Sequence, residues 1–225
     1  TNVVSDGSLQ VTIPASAITV KGVYPISLAY TFENGTTQSL NLGTLEVGPR
    51  PVLDVASLAP NPLHGGEDLT FTVSLNEPAG FPGQTVTVTN TNPAVTLPGT
   101  VSFATGETTK TFTIVPSYVT MDTTGDVTSV LDGVTKTSTL TVLSHKVAAL
   151  DVTPSTVIGG NSSVGTVTLT SKAAPGGYVV SLSSDNPAIT VPAEVTVAEG
   201  ETTATFPVDY DVVADDSNGV VTAQL

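Results

Sequence analysis

Residues 69–75 read LTFTVSL, with an apolar side chain at every second position. Successive side chains of a β-strand point to opposite faces, so this alternation predicts a strand with one buried and one exposed face. The same alternation recurs in three later segments, at Val86 and Val88, Phe112 and Ile114, and Leu140 and Val142. Because no stretch keeps a helical period for three turns, the sequence predicts an all-β protein.

An internal repeat surrounds this strand. Residues 60–114 align without a gap on residues 154–208, at a constant offset of 94 positions. A single register held over that span indicates two copies of one module. Short strands at about ten-residue spacing favour an immunoglobulin-like (Ig-like) β-sandwich over a parallel sheet. The matched positions are turn and core residues, such as Gly65-Gly66 with Gly159-Gly160, Asn92-Pro93 with Asn186-Pro187, and Phe112 with Phe206.

The turn residues have specific predicted roles. Gly65-Gly66 and Gly159-Gly160 permit a positive φ between the first strands of each copy. Asn92-Pro93 stops a strand, because proline holds its predecessor out of the helical region and cannot donate to a sheet. Asp132-Gly133 predicts a two-residue hairpin turn before a last strand at residues 134–143.

Residues 1–49 do not belong to the repeat. Leu9, Val11 and Ile13 predict one strand, and alternation from Ile26 to Phe32 predicts another. Asn34-Gly35 predicts a turn into a final pair of strands ending near Val47. These features resemble the last half of a third sandwich.

We therefore expect three tandem modules in an elongated arrangement: residues 1–49 as a partial module, 50–145 as a complete one, and 146–225 as a copy lacking its final strand. The links Gly48-Pro49-Arg50-Pro51 and Ser144-His145-Lys146 are short, which restricts the angle between modules. Two origins of the incomplete modules stay open. The chain is either a window from a longer array, or a subunit whose missing strands come from neighbours.

Charge and composition exclude several classes of function. The net charge is −14 and Arg50 is the only arginine, so the surface repels nucleic acids and anionic membranes. No apolar run approaches the ~20 residues that cross a bilayer, so no membrane insertion is expected. The chain has no cysteine, which excludes disulfides and thiol chemistry.

A family resemblance follows from the second copy. Pro154, Gly159-Gly160, Pro175-Gly176-Gly177, the run from Ser183 to Ala188, Gly200 and Phe206 together resemble an Ig-like, or fibronectin-III-like, repeat common in bacterial and archaeal surface proteins. Residues 11–18, through Gly22-Val23-Tyr24, resemble the second half of an IPT/TIG-type Ig domain. The resemblance implies an extracellular or cell-surface spacer or adhesive role, with no family active site.

The sequence also argues against an enzyme. Its two histidines, His64 and His145, are 81 positions apart, in a predicted turn and a predicted link. No phosphate-binding loop, dinucleotide fingerprint, HExxH motif or nucleophile elbow occurs. We expect a non-enzymatic protein without a required cofactor.

One acidic segment is a candidate calcium site. Calcium takes six to eight hard oxygen ligands, and five oxygen-bearing side chains lie close together here. The same residue types also build ordinary turns, and the EF-hand spacing is absent. The candidate ligands are Asp209, Asp211, Asp215, Asp216 and Asn218.

Two sites could carry or bind sugars. Asn34 and Asn161 each begin an N-glycosylation acceptor pattern within a predicted turn, although turn chemistry alone explains them. Sugar-binding surfaces use exposed aromatic rings; the chain has no tryptophan, which leaves Tyr118, Tyr178 and Tyr210 as candidates.

Three functions follow from these features. The first is a stalk or spacer of tandem Ig-like modules, whose partners are neighbouring modules. The second is a self-assembling extracellular filament, in which a strand from one identical subunit completes the next. The third is a carbohydrate-binding surface module whose partners are glycans.

Overall fold

A computed structural model describes residues 2–3, 9–10, 22–31, 34–48, 50–80 and 82–225. These residues form strands, turns and loops, and no helix occurs among them. Accordingly, the described part of the chain offers no helical segment that could span a lipid bilayer. The chain divides into two compact units, Thr1–Pro51 and Val52–Leu225. The fold is all-β, as the alternating pattern predicted.

The described residues of the first unit form two antiparallel strand pairs. β1 (Asn2–Val3) pairs with β2 (Leu9–Gln10), and β3 (Gly22–Thr31) pairs with β4 (Thr37–Val47). The predicted turn is present, with Gly35 at a φ of +83°.

One prediction for this unit is wrong. The segment after the turn is the single strand β4, not a pair of strands. Opposite Ile26 and Ser27, β4 has a bulge of one extra residue, and the chain does not reverse direction there. Val11, Ile13 and Phe32 of the predicted strands lie outside the described residues. So do residues 11–18, on which the IPT/TIG resemblance rests, and that assignment stays a prediction.

The first copy of the repeat is a two-sheet sandwich. One sheet has the order β10-β7-β5, and the other has the order β6-β12-β11-β8-β9. Strand β12 pairs antiparallel with β11 along its length and runs parallel to β6 at its end. The strands are β5 (Leu53–Ala59), β6 (Leu63–His64), β7 (Leu69–Leu75), β8 (Gln84–Asn90), β9 (Thr100–Phe103), β10 (Thr109–Ile114), β11 (Thr123–Leu131) and β12 (Val134–Leu143).

The second copy repeats the central strands of this sandwich with different edge strands: β16 is added beside β18, and no described strand takes the place of β6 or β12. Its sheets have the orders β13-β14-β18-β16 and β17-β15-β19. Strand β19 occupies the place of β11 and pairs with β15, and no strand among the described residues lies along its other edge. The strands are β13 (Val147–Thr153), β14 (Ser162–Leu169), β15 (Tyr178–Ser184), β16 (Ile189–Thr190), β17 (Glu194–Val197), β18 (Thr203–Tyr210) and β19 (Val221–Gln224).

The predicted core strand 69–75 is β7, and its alternation is confirmed. Leu69, Phe71 and Val73 are fully buried, and Leu75 is almost so. Burying each such side chain contributes about 1.5–3 kcal/mol. The second unit has two separate hydrophobic cores, one in each copy.

The two copies fill the same core position in different ways. In the first copy the rings of Phe71 and Phe112 stack with centroids 6.2 Å apart. The repeat places Gly165 where Phe71 stands, and Phe206 where Phe112 stands. A Cβ on Gly165 would meet the Phe206 ring. The glycine therefore makes room for one ring where the first copy holds two.

The predicted turn chemistry is confirmed at the glycine pairs and at the hairpin. Gly66 and Gly160 have φ values of +87° and +89°. Asp132 and Gly133 both have positive φ, as a two-residue hairpin of the primed type requires.

Asn92 does more than precede a strand-stopping proline. Its side chain is 1% exposed, and its Nδ2 donates to the carbonyls of Leu140 (3.0 Å) and Thr123 (3.2 Å). Its Oδ1 accepts from the amide of Ala94 at 3.0 Å. Asn92 thus ties its loop to two strands of the larger sheet.

Candidate functional site

Three loops meet at one end of the first copy, which we call its distal end: residues 60–68, 91–99 and 115–122. The amide of Gly66 donates to the carbonyl of Pro116 (2.9 Å), and the amide of Ser117 donates to the carbonyl of Ala94 (2.8 Å). Gly65 permits this approach, because a Cβ there would lie 2.5 Å from the carbonyl oxygen of Ser117. These hydrogen bonds join the three loops into one surface, which we call the platform.

The distal end of the first copy contacts two loops of the second, residues 170–177 and 198–202, which we call its proximal loops. At the centre of this junction lies His145, which is only 7% exposed. Its ring centroid is 5.4 Å from that of His64, 5.6 Å from that of Tyr118 and 5.1 Å from that of Tyr178. Tyr178 begins β15, so the ring cluster joins the two copies.

Polar contacts fix this cluster. The Oη of Tyr178 lies 3.3 Å from Nδ1 of His145, within hydrogen-bonding distance. The carboxylate of Glu67 accepts from the amide of His64 at 3.0 Å and from the hydroxyl of Ser171 at 2.6 Å. Since Ser171 belongs to a proximal loop, Glu67 bridges the two copies.

Competing effects act on the Glu67 carboxyl. Burial raises its pKa, but the hydrogen bonds from Ser171 and from the His64 backbone outweigh burial. The net result is a lowered pKa, so the junction holds Glu67 in its charged form.

The link between the copies is held from both sides. Asp122 of the first copy accepts from the amide and hydroxyl of Ser144, each at 2.8 Å, and from Nζ of Lys146 at 3.0 Å. The backbone of Lys146 exchanges two hydrogen bonds with Thr170 of the second copy, at 3.1 and 2.9 Å. The bonds to Ser144 and then Lys146 lower the pKa of Asp122 to about 2.

The environment of His145 favours its neutral form. Burial lowers its pKa, and the neighbouring His64 lowers it further. The backbone of Lys172 and the carboxylate of Glu67 act in the opposite direction, but more weakly. Nε2 of His145 is buried without a hydrogen-bond partner among the described residues. A proton added to this ring therefore enters a poorly solvated site beside a second histidine.

The candidate calcium ligands lie at the other end of the second copy. Asp211, Asp215, Asp216 and Asn218 line one open cleft, whereas Asp209 lies outside it on β18. The backbone carbonyl of Asn218 accepts from the Asn186 side chain at 2.8 Å. Within residues 2–225 as described, no group of three or more His, Cys, Asp or Glu side chains is arranged to hold a metal ion. Calcium binding stays a prediction.

Both candidate glycosylation sites are exposed turn residues. Oδ1 of Asn34 accepts from the amide and hydroxyl of Thr36, at 3.0 and 2.6 Å. The Nδ2 of Asn161 donates to the carbonyl of Ile158 at 2.9 Å. These bonds are the turn chemistry expected of asparagine, and glycosylation at either site stays a prediction.

The three tyrosines considered for sugar binding do not lie together. Tyr118 and Tyr178 belong to the ring cluster around His145. Burial is the main cause of the raised pKa of Tyr178. Tyr210 lines the cleft at the far end of the second copy. Glycan binding stays a prediction, which a glycan array would test.

Sequence reasoning did not predict the histidine pair. His64 and His145 are 81 positions apart and carry no motif. One signal was available: in this sandwich, the loop between the first two strands and the end of the last strand lie at the same end. Applied to the predicted strands, that topology brings His64 beside the link that contains His145.

Comparisons with known proteins return similar folds only. No protein-family model matches the sequence, and no curated protein sequence does. Among solved structures, the D0-D1 domain of Intimin is 8% identical with a TM-score of 0.33, covering 77% of this chain and 91% of that one. The BSP domain of a biofilm associated protein is 20% identical with a TM-score of 0.24, covering 77% and 26%. An Escherichia coli alpha-2-macroglobulin activated by porcine elastase is 14% identical with a TM-score of 0.34, covering 91% and 23%.

The sheets and the junction define the class of protein. Residues 52–225 form two tandem Ig-like β-sandwiches, joined by hydrogen bonds, an ion pair and a ring cluster around the buried His145.

Proposed function

We propose that this chain is a non-enzymatic spacer of tandem Ig-like modules in an extracellular or cell-surface protein. The observation that carries the proposal is the link Ser144-His145-Lys146. All three residues are engaged, through Asp122 on one side and Thr170 and Tyr178 on the other. A spacer needs a fixed angle between its modules, and a link held in this way supplies one.

The chemistry of the junction supports this role. Its central titratable groups, Glu67, Asp122 and His145, are hydrogen-bonded across the junction or buried in it, and Glu67 also lines an open cleft between the two copies. The net charge of −14 keeps the chain away from nucleic acid and anionic lipid. The sequence resemblance to repeats of microbial surface proteins supports a location outside the cell.

A distance measurement tests the proposal. The native chain has no cysteine, so spin labels can be attached specifically at cysteines replacing Ser102 on β9 and Thr196 on β17, both exposed. A fixed junction gives a narrow distance distribution in pulsed electron resonance. A broad distribution, as for two freely hinged modules, would overturn the spacer.

A second candidate function is a subunit of an extracellular filament. Strand β19 has an edge without a partner in the described part of the chain. In the first copy β12 covers the equivalent edge of β11. A strand donated by another subunit would cover the edge of β19 in the same way.

Electron microscopy of the full chain tests this alternative. Filaments are expected, and a synthetic peptide with the sequence of β12, Val134–Leu143, should stop their growth by occupying the edge. A scrambled peptide is the control. Discrete particles at all concentrations would exclude the filament and leave the spacer.

A further inference from the structure

The second copy has a distal end of its own, formed by residues 154–161, 185–193 and 211–220. The repeat offset maps the three distal loops of the first copy onto residues 154–162, 185–193 and 209–216, which overlap these loops. They are connected in the same way. The amide of Gly160 donates to the carbonyl of Tyr210 (2.8 Å), and the amide of Asp211 donates to the carbonyl of Ala188 (2.9 Å).

The close approach of the loops is also repeated. A Cβ on Gly159 would lie 2.6 Å from the carbonyl oxygen of Asp211, as one on Gly65 would from Ser117. Both copies thus build one platform. On the first copy it carries the proximal loops of the second copy. On the second copy it borders an open cleft of about 680 Å³.

Two apolar side chains on this second platform are highly exposed. Ile158 and Val212 are each 82% exposed. They occupy the repeat positions of His64 and Tyr118, which both belong to the ring cluster at the junction. Branched apolar side chains exposed to this degree on an ordered platform cost solvation free energy that a docked partner would recover.

We propose that the distal end of the second copy is a docking surface for the proximal loops of a further Ig-like module of the same repeat. The proposal rests on the proposed spacer function and extends it by one junction. Ile158 and Val212 provide its apolar centre.

Charge indicates which type of module fits. Asp216 occupies the repeat position of Asp122, which binds Nζ of Lys146 at 3.0 Å, and Asp211 and Asp215 add negative charge nearby. The partner therefore needs lysine in its link or proximal loops, as the second copy has in Lys146 and Lys172.

The first copy has no lysine at the equivalent positions. It has Val52 where the second copy has Lys146, and Pro78 where the second copy has Lys172. It also has Glu77 in the position of Ser171. Like charges at a contact are unfavourable, so the occupant is a module of the second-copy type, not the first copy of another molecule.

An extended chain tests the docking surface. Leu225 occupies the repeat position of Leu131, so residues 1–225 followed directly by residues 132–225 continue the repeat in register. Spin labels at Ser183 of the second copy and at the appended counterpart of Thr196 report on the new junction. We expect a narrow distance distribution that broadens at least twofold with Ile158→Asp and Val212→Asp. The control is Val179→Asp, since Val179 is 52% exposed on β15.

The outcomes separate the two proposals. A broad distribution at the new junction, with the Ser102–Thr196 distance still narrow, overturns the docking surface and leaves the spacer intact. A broad distribution at both overturns the spacer itself. If the unextended chain dimerises and Ile158→Asp abolishes the dimer, the occupant is a second copy of this chain and the proposal is wrong.

A second variant needs no extension of the chain. His64→Ile and Tyr118→Val together give the first distal end the two apolar side chains of the second. If isoleucine and valine at these positions support docking of a lysine-bearing module, the second copy should still dock on the altered first copy. The Ser102–Thr196 distance distribution should then stay narrow. Broadening would contradict it.

Discussion

The imidazole rings of His64 and His145 lie with centroids 5.4 Å apart, one on a loop of the first sandwich and the other in the link to the second. Because His145 is buried at the junction, the junction is sensitive to acid. The direction follows from the lowered pKa of His145, whose ordinary value is 6.5. The unfolded chain takes up this proton near pH 6.5, whereas the folded junction resists it until a lower pH.

We therefore predict that acid loosens the junction. The contribution of neutral His145 to stability is complete above about pH 7.5 and is lost as pH falls through 6.5 towards its lowered folded value. The Ser102–Thr196 distance distribution, measured from pH 8 to pH 5, should broaden on acidification. His145→Phe keeps a ring in place without the titration and should flatten this dependence. An equally strong pH response in that variant would assign the effect to another group.

Asp122 should titrate far below an ordinary carboxyl. Its bonds to Ser144 and Lys146 persist while it is charged, and its pKa of about 2 lies below the ordinary 3.8. Its contribution is present above pH 3.8 and is lost as pH falls through about 2. Carboxyl chemical shifts recorded by NMR during an acid titration would show this value. A midpoint near 3.8 would mean that the hydrogen bonds of Asp122 to Ser144 and Lys146 are not formed in solution. Asp122→Ala should broaden the Ser102–Thr196 distance distribution at neutral pH.

Gly165→Ala should destabilise the second copy. Alanine normally favours a strand interior over glycine, but here its Cβ meets the ring of Phe206. Overpacking of this kind costs about 1–3 kcal/mol, measurable by denaturant unfolding. Phe206→Leu in the same chain should recover part of the loss. The control is Gly80→Ala, where nothing lies within 4 Å of the added Cβ.

Asn92→Ala should cost more stability than Asn186→Ala, although the two asparagines are repeat equivalents. Removal of Asn92 leaves buried backbone groups of Leu140 and Ala94 unpaired, which costs about 1–3 kcal/mol. The Nδ2 of Asn186 donates to exposed groups, including the hydroxyl of Ser217, and water can replace it there. Equal stability losses in the two variants would show that burial of the asparagine does not determine the cost of removing it.

The predicted calcium site has a direct test. If the cleft at the end of the second copy binds calcium, a chelator should lower the melting temperature, and Asp215→Asn with Asp216→Asn should remove that response. The chain with Asp126→Asn, an exposed carboxylate of the first copy, is the matched control. An unchanged melting temperature with chelator would contradict the prediction.

Local pattern was enough to predict the strands, because alternation and turn residues act within a few positions of the chain. The strand 69–75, the turn at Asp132-Gly133 and the positive φ of Gly66 are of this kind. The single strand at Thr37–Val47 was missed because a bulge and a turn use similar residues. The ring cluster at the junction was missed because its four members come from four separate segments, which only the three-dimensional topology brings together.

The parallel pairing of β6 with β12 has a mechanical consequence. Leu63 and His64 lie beside Val142 and Leu143. Strand β6 lies near the N-terminal end of the first sandwich, and β12 is its C-terminal strand. Tension applied to those ends pulls the strands along each other, so their hydrogen bonds are loaded in shear and must break together instead of peeling one at a time. His64, at the end of this clamp, also contacts His145 in the link. Force entering from the second sandwich through the link is thus applied directly to this sheared pairing.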